Sequence, residues 1–309
     1  MNYLRLLVCI IVIILGYSAI SPNSREKAEL VYPIQTYEMT SAPPVRTPFK
    51  KIRGLIFVEV KINGEEAYFI LDSGAPVVVL NTHYFSNGTD DGSAKGVSGS
   101  LQRQQIQIDS FRWGNIKLAD TQLMGLDLSH LEEELDHPFK GLIGYDLLKD
   151  FELLIDYEQE ELLLFKEGQT VYHQEKSPIA ELPFRYQLHI PVLEAEIGGA
   201  VYQLGLDTGA EQNLISQPAF KQLPEAAFEM LEKTELRGAD KNVTEVQQFT
   251  IHESKFDGHL YADMSFVSAD ISHLTDGYGL KIQGLVGFPF LSQQLCSIDF
   301  ADQKIYFWE

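Results

Sequence analysis

The chain has 309 residues, of which 45% are hydrophobic, so it is long enough for about two domains that each bury a core. Its formal net charge of −20 argues against nucleic acid and against an anionic membrane surface as partners. Only two cysteines occur, Cys9 and Cys296, and we expect Cys296 to be a small residue of a buried strand.

An apolar run from Leu6 to Gly16 follows Arg5 near the N-terminus. The run is shorter than the ~20 residues that a spanning helix needs, and a small-x-small cleavage pattern follows at Gly16-Tyr17-Ser18. Residues 1–20 are therefore predicted to be a signal peptide, with an uncleaved membrane anchor as the alternative. Either reading places the rest of the chain outside the cytoplasm, as a periplasmic or secreted protein. Residues 21–49 are predicted to be a linker or a pro-segment.

Short strands and turns are predicted from Leu55 onward. The stretch Leu55–Lys61 alternates loosely, Asn63-Gly64 is a hairpin signal, and Ala67–Leu71 is the returning strand, which ends at Asp72. A glycine-rich stretch at Gly92–Ser100 is typical of the mobile tip of another hairpin.

The remaining elements of this half are also mostly strands. They are predicted at Gln102–Ile108, Ile116–Met124, Gly141–Gly144, Phe151–Asp156 and Glu161–Phe165, with short helices at Asp127–Leu135 and Tyr145–Phe151. The strand Gly141–Gly144 is expected to be packed so tightly that glycine is needed at both ends. The predicted fold class is mainly β with few short helices.

The second half of the chain repeats the first. The run Phe69-Ile70-Leu71-Asp72-Ser73-Gly74-Ala75 matches Leu204-Gly205-Leu206-Asp207-Thr208-Gly209-Ala210 at an offset of 135 positions. Downstream the offset is 143, as between Gly141-Leu142-Ile143-Gly144 and Gly284-Leu285-Val286-Gly287. The change predicts a net insertion of eight residues, which we place within Gln217–Leu236.

This duplication predicts two lobes in one chain. We place the first lobe at residues 50–168, a linker at 169–183 and the second lobe at 184–309. Such a chain has no need of a second copy, so we expect a monomer with two pseudo-symmetric lobes.

Each repeat carries one aspartate, Asp72 or Asp207, directly after an apolar run and before a hydroxyl residue and a glycine. Two such loops could bring two carboxylates together across an interface. Carboxylates that close cannot both ionise, and a pair that shares one proton can act as acid and base at once. With an attacking water, this chemistry cleaves amide bonds and needs neither a metal nor another cofactor.

The order of D-[ST]-G-A and apolar-apolar-Gly motifs, found twice, resembles the aspartic peptidases of the pepsin and retropepsin type. The resemblance covers both repeats. Two fused lobes are similar to pepsin, whereas short lobes and an alanine after each glycine are similar to bacterial and retroviral single-lobe enzymes. It implies a pair of closed, barrel-like β lobes related by a pseudo-twofold axis, and an endopeptidase whose partner is a peptide or protein substrate.

The resemblance also implies roles for particular residues. Asp72 and Asp207 would hold the attacking water between them, and the hydroxyls of Ser73 and Thr208 would hydrogen-bond to the opposite loop. Gly74 and Gly209 would allow that close approach. Four further residues are predicted to line the substrate cleft: Ala75, Ala210, Gly96 and Gly99.

Two departures from the pepsin pattern affect these expectations. Pepsin-like enzymes carry a hydroxyl residue where Ala75 and Ala210 stand, and fewer donors should leave the carboxyl pair less acidic. We therefore expect an optimum at mildly acidic pH. The stretch Gly92–Ser100 lacks the tyrosine that a pepsin flap would carry.

Other repeated residues are expected to be structural. His130 and His273 have no second ligand at metal spacing, and Asp156 and Asp299 precede the final hairpins, where they are expected to fix a turn. Two rival functions remain open. The chain could be a catalytically silent peptide-binding or envelope-structural protein, or a dormant precursor whose residues 21–50 cover the cleft.

Overall fold

The computed structural model describes residues 6–8, 12–13, 37–39, 45–96, 100–166, 173, 175–238, 243–272, 274–275 and 279–309. Within these ranges the chain is mainly β, with four short α-helices and two 3-10 helices. The predicted fold class is confirmed in this respect.

The strands and helices follow one another along the chain. The strands up to the end of the first repeat are β1 (Leu6–Val8), β2 (Val12–Ile13), β3 (Glu38–Met39), β4 (Val45–Ile52), β5 (Leu55–Ile62), β6 (Glu65–Leu71), β7 (Val79–Asn81), β8 (Thr89–Gly96), β9 (Ser100–Trp113), β10 (Ile116–Leu126), β11 (Gly141–Ile143), β12 (Phe151–Asp156) and β13 (Glu161–Lys166). The later strands are β14 (Ala180–Pro183), β15 (Arg185–Gln187), β16 (Ile190–Ile197), β17 (Ala200–Leu206), β18 (Asn213–Ser216), β19 (Phe228–Arg237), β20 (Val243–Phe256), β21 (His259–Ala269), β22 (Gly284–Val286), β23 (Leu295–Asp299) and β24 (Lys304–Trp308). The α-helices are α1 (Ser129–Leu135), α2 (Tyr145–Leu148), α3 (Gln217–Phe220) and α4 (Phe288–Leu291), and the 3-10 helices are Thr82–Tyr84 and Glu225–Ala227.

These strands form two sheets. The first has nine strands in the order β1-β19-β20-β21-β18-β22-β17-β16-β15. The second has fifteen strands, in the order β14-β24-β23-β12-β13-β4-β5-β6-β11-β7-β10-β9-β8-β2, with β3 paired to β10. Two sheets with few helices are consistent with a β-rich, two-lobe protease fold.

Both halves pair their central strands in the same way. The strand before each aspartate runs parallel to a later strand, with Ile70 of β6 opposite Leu142 of β11 and Gly205 of β17 opposite Leu285 of β22. Each later strand also lies antiparallel to the strand that follows the aspartate, β7 or β18. Strands β11 and β22 therefore each lie between the strand that precedes an aspartate and the strand that follows it.

Close backbone packing explains the glycines that flank these later strands. A Cβ atom at Gly144 would lie 2.2 Å from the carbonyl oxygen of Val77, and one at Gly287 would lie 2.3 Å from that of Ala210. Cβ atoms at Gly141 and Gly284 would lie 2.2 Å from the carbonyl oxygens of Val79 and Leu214. The prediction that glycine is needed at both ends of this strand is confirmed.

The final hairpins of the two halves join in the larger sheet. Strand β12 pairs with β23, with Leu153 opposite Ile298, and the local order is β4-β13-β12-β23-β24-β14. Strand β4 begins at Val45, earlier than residue 50, where the first lobe is predicted to start. Strand β14 (Ala180–Pro183) lies within the predicted linker, residues 169–183. Cys296 is fully buried in β23, as predicted.

Other boundaries differ from the predictions. Strand β8 continues to Gly96 and β9 begins at Ser100, so most of the stretch Gly92–Ser100, expected to be a hairpin tip, lies in strands, and residues 97–99 lie outside the described residues. Helix α1 begins at Ser129, not at Asp127. Helix α3 and the second 3-10 helix lie within the segment where we place the insertion.

The described residues of the N-terminal apolar run lie against the two long hairpins. Strand β1 pairs in parallel with β19, with Leu7 opposite Leu236, and β2 pairs antiparallel with β8, with Val12 opposite Gly96. Among the described residues, no helix is long and apolar enough to cross a membrane.

Candidate active site

The two aspartates occupy equivalent positions in the fold. The backbone N–H of Asp72 donates to the carbonyl of Ile143 at 2.9 Å, and that of Asp207 donates to the carbonyl of Val286 at 3.0 Å. Strands β11 and β22 thus hold the two aspartates through their main chains. This is the arrangement that the apolar-apolar-Gly motif implied.

The structure brings the two carboxyl groups together in the interior. Both Asp72 and Asp207 are fully buried. A Cβ atom at Gly74 would lie 2.9 Å from Cγ of Asp207, and one at Gly209 would lie 2.7 Å from Cγ of Asp72. Each glycine therefore lies against the opposite carboxyl group, where a side chain would not fit.

The residues after the aspartates exchange hydrogen bonds between the two loops. Ser73 N–H donates to Oγ1 of Thr208 at 2.9 Å, and Thr208 N–H donates to Oγ of Ser73 at 3.0 Å. The Thr208 hydroxyl in turn donates to the carbonyl of Leu71 at 3.1 Å. These crossed contacts hold the two loops in one register, because any slip would break both at once.

Backbone donors surround one oxygen of each carboxyl group. Oδ1 of Asp72 accepts N–H bonds from Gly74 at 2.9 Å and Ala75 at 3.1 Å, and Oδ1 of Asp207 accepts one from Gly209 at 2.8 Å. The Oδ2 atoms accept no N–H or O–H bond from the described residues, but the two carboxyl groups are within hydrogen-bond reach of each other. The pair can therefore share a proton.

Burial raises the pKa of both carboxyl groups. Burial is the main cause for Asp72, and the nearby charge of Asp207 raises its pKa further, well above the usual range. Burial also raises the pKa of Asp207, and the N–H of Gly209 offsets part of the effect. The pair titrates as a unit and keeps a proton at a pH at which isolated carboxyl groups are ionised.

Two residues that the sequence did not single out contact the aspartate loops from the opposite half. Nη2 of Arg53 lies 2.9 Å from Oε2 of Glu211, which directly follows Ala210, and Arg53 Nη1 also donates to Glu134 at 3.1 Å. His189 Nε2 donates to the carbonyl of Gly74 at 2.9 Å. At the repeat offset of 135, Arg53 matches position 188 and Gly54 matches position 189. The turn before β5 and the turn before β16 are therefore equivalent, and each contacts the aspartate loop of the opposite half.

The residues predicted to line the cleft lie in different environments. Ala75 and Ala210 are fully buried and belong to apolar clusters. Gly96 ends β8, opposite Val12, and Gly99 lies outside the described residues. A role for these four residues in substrate binding stays a prediction.

The remaining repeated residues have structural contacts. Oδ1 of Asp156 accepts N–H bonds from Glu158 and Gln159, and Oδ1 of Asp299 accepts them from Ala301 and Asp302, so both aspartates fix turns as predicted. His130 is buried on α1 and contacts the Gly238 carbonyl at 3.3 Å, whereas His273 lies outside the described residues. Within the described part of the chain, no group of three His, Cys, Asp or Glu residues could hold a metal.

Comparison with known protein families gives a match in the first half of the chain. Residues 58–147 match the model of a protein family described as aspartyl protease. The matched segment contains the Asp72 loop and the strand at Leu142–Gly144, and it supports an aspartic peptidase family and a hydrolase activity for this chain. A search of curated proteins finds no match.

Proposed function

We propose that the chain is an aspartic endopeptidase of the retropepsin-like type, with two lobes fused in one chain and one catalytic aspartate in each. The observation that carries the proposal is the crossed pair of hydrogen bonds between Ser73 and Thr208. These bonds join two loops whose buried carboxyl groups lie side by side, which is the arrangement that general acid–base hydrolysis of a peptide bond needs.

In the proposed mechanism, Asp72 and Asp207 hold a water molecule between them. The ionised carboxylate takes a proton from this water as the water oxygen attacks the peptide carbonyl carbon. The protonated carboxyl donates its proton to the carbonyl oxygen, and a neutral tetrahedral diol results. A proton then reaches the amide nitrogen, and the C–N bond breaks to release an amine and a carboxylic acid.

The raised pKa of the pair favours activity at mildly acidic pH. The mechanism needs one proton on the pair, and burial favours this form over the doubly ionised one. Activity should fall at alkaline pH, where the second proton is lost, and at strongly acidic pH, where both carboxyl groups are protonated.

Substrate access requires a movement, because both aspartates are fully buried. We propose that the hairpin β19–β20 moves in this step. The carbonyl of Gly238, which directly follows β19, contacts His130 of α1 at 3.3 Å, and that contact must break for the hairpin to move away from the first half. Such gating motions are common in enzymes that enclose their substrate.

The alternative is a catalytically silent protein that binds peptides or serves an envelope structure. Both aspartates and both hydroxyl residues are retained, and a silent copy has no need of them. We further propose that the protein acts outside the cytoplasm, tethered or released at its N-terminus, as a monomer on peptide or protein substrates.

Cleavage of a diverse peptide mixture between about pH 3 and 7 tests the proposal. The full-length chain and residues 21–309 are compared with Asp72→Asn and Asp207→Asn, and Asp146→Asn is the control for loss of a buried carboxyl elsewhere. We expect cleavage by the wild type and by Asp146→Asn, and none by the other two variants. A folded wild-type protein that cleaves nothing across this range would instead favour the silent peptide-binding protein.

A further inference from the structure

His189, in the second half, forms a hydrogen bond to the loop that carries Asp72 in the first half. It is 4% exposed and directly precedes β16, in the turn after β15. Its Nε2 atom is 2.9 Å from the carbonyl oxygen of Gly74. A carbonyl oxygen can only accept, so Nε2 must carry a proton and donate.

The accepting carbonyl belongs to the peptide unit that also carries the N–H of Ala75. That N–H donates to Oδ1 of Asp72 at 3.1 Å. The hydrogen bonds therefore form a chain from the imidazole, through the Gly74–Ala75 peptide, to the carboxyl group. A donor at the carbonyl end of a peptide polarises it and strengthens donation by its N–H, by roughly 10–30% per bond.

The two halves differ at this point. The position that matches His189 at the repeat offset is Gly54, which has no side chain that could donate to the Asp207 loop. The N–H of Ala75 is shared between Oδ1 of Asp72 and the main-chain carbonyl of Asp72, each at 3.1 Å, whereas the N–H of Ala210, which matches Ala75, donates to the main-chain carbonyl of Asp207 at 3.3 Å. The duplicated site is therefore not symmetric in its hydrogen bonding.

We propose that His189 is a positioning residue that favours the ionised form of Asp72 through the Gly74–Ala75 peptide. It does not contact the reacting atoms. It strengthens a backbone donor to one member of the pair, and so makes the two aspartates chemically distinct. This inference rests on the proposed function for its activity readout, but its spectroscopic readout is independent of it.

The charge of His189 is not needed for this effect. Burial lowers the pKa of His189 to about 4, and the bond to Gly74 offsets part of that shift. The imidazole donates through Nε2 whether or not it is protonated. Tyr145 of α2 lies near it, with a ring centroid 6.2 Å away, and the bond to Gly74 links it to the Asp72–Asp207 pair, while Arg53 and Glu211 pair with each other at the second loop.

Three full-length variants test the proposal. His189→Leu removes the donor, His189→Gln keeps an N–H that can reach the Gly74 carbonyl, and Ser254→Ala is a control for a buried polar group away from the pair. For each, kcat/KM is measured against pH, and the titration of the carboxyl carbons is followed by carbon-13 NMR of labelled aspartate in the wild type and the variants. Because the pair titrates in two shared steps, the pH profile alone does not show which limb reports Asp72. The NMR titration of Asp72 makes this assignment.

We expect His189→Leu to move the Asp72 titration, and the matching limb of the pH profile, to higher pH by about half a unit. His189→Gln should restore most of the shift, and Ser254→Ala should show none. Equal shifts in the Leu and Gln variants, or no shift in the Leu variant, would overturn the proposal. If the wild type cleaves no peptide, the peptidase function fails, whereas the NMR shift of Asp72 still decides the role of His189.

Discussion

Arg53 and Glu211 form a two-point ion pair between the two halves of the chain. Nε of Arg53 lies 3.1 Å from Oε1 of Glu211, and Nη2 lies 2.9 Å from Oε2. The Glu211 side chain is 3% exposed and follows the loop of the second aspartate. Nε donates a hydrogen bond to the carboxylate and Nη2 adds a close ionic contact, so the two side chains hold one relative orientation.

We expect Arg53→Met to destabilise the protein strongly. The substitution removes the cation that faces the buried Glu211 carboxylate, and breaking a buried ion pair typically costs about 3–5 kcal/mol. Denaturant unfolding of the single variants and of Arg53→Met/Glu211→Gln would measure the coupling between the two side chains. Lys233→Met, which breaks the exposed pair with Glu245, is the control and should cost less than about 1 kcal/mol. A loss at Arg53 no larger than that at Lys233 would contradict the expectation.

Thr208→Val should lower both stability and activity. Valine keeps the shape of the side chain but removes the acceptor of the Ser73 N–H, and an unsatisfied buried donor costs about 1–3 kcal/mol. The measurement combines denaturant unfolding with kcat/KM on a peptide substrate. Thr208→Ser keeps the hydroxyl and should stay close to the wild type. If Val and Ser behave alike, the crossed hydrogen bonds do not hold the loops.

The stability of the protein should depend on the charge of Asp146. Burial raises the pKa of this residue to about 7, although Lys149 and the N–H groups of Leu147 and Val78 offset part of the effect. Because the folded-state pKa is raised, the protonated carboxyl contributes stability below about pH 4, and this contribution is lost as the pH rises through about 7. Asp146→Asn removes the titration.

We therefore expect Asp146→Asn to stabilise the protein, relative to the wild type, by about 4 kcal/mol more at pH 8 than at pH 4. Denaturant unfolding at several pH values between these limits measures the difference. The exposed Asp120→Asn serves as the control for loss of a surface carboxyl group. A flat difference for Asp146→Asn would show that its carboxyl group ionises without penalty in the folded protein.

Deletion of residues 1–20 should raise the rate of peptide cleavage. Residues of β1 and β2 pair with β19 and β8, which belong to the two long hairpins, and this pairing restrains both. Initial rates on a soluble peptide compare this deletion with deletion of residues 1–5, which leaves both strands intact. We expect a several-fold higher rate for the longer deletion alone. Equal rates for both deletions would show that the N-terminal strands do not restrain the hairpins.

Local features of the fold follow from short stretches of the amino-acid sequence. Alternating apolar residues, the Asn63-Gly64 turn and the glycines of the Gly141–Gly144 strand depend on neighbouring residues and on backbone sterics, so the strands and turns were predictable. The repeat identified both aspartates, because the second copy occurs in the same local pattern as the first. Boundaries were less predictable, as at α1 and β8, since pairing with distant strands decides where an element ends.

Tertiary structure alone decided which residues from distant segments meet at the site. Arg53 and Glu211 are far apart in the sequence, and so are His189 and Gly74, and nothing in their local patterns indicates that they pair. Burial raises the pKa values of both carboxyl groups, and the nearby Asp207 raises that of Asp72 further, and these conditions exist only after the halves pack together. Local patterns specify strands and turns, whereas the chemistry of the site depends on distances and burial that the folded chain creates.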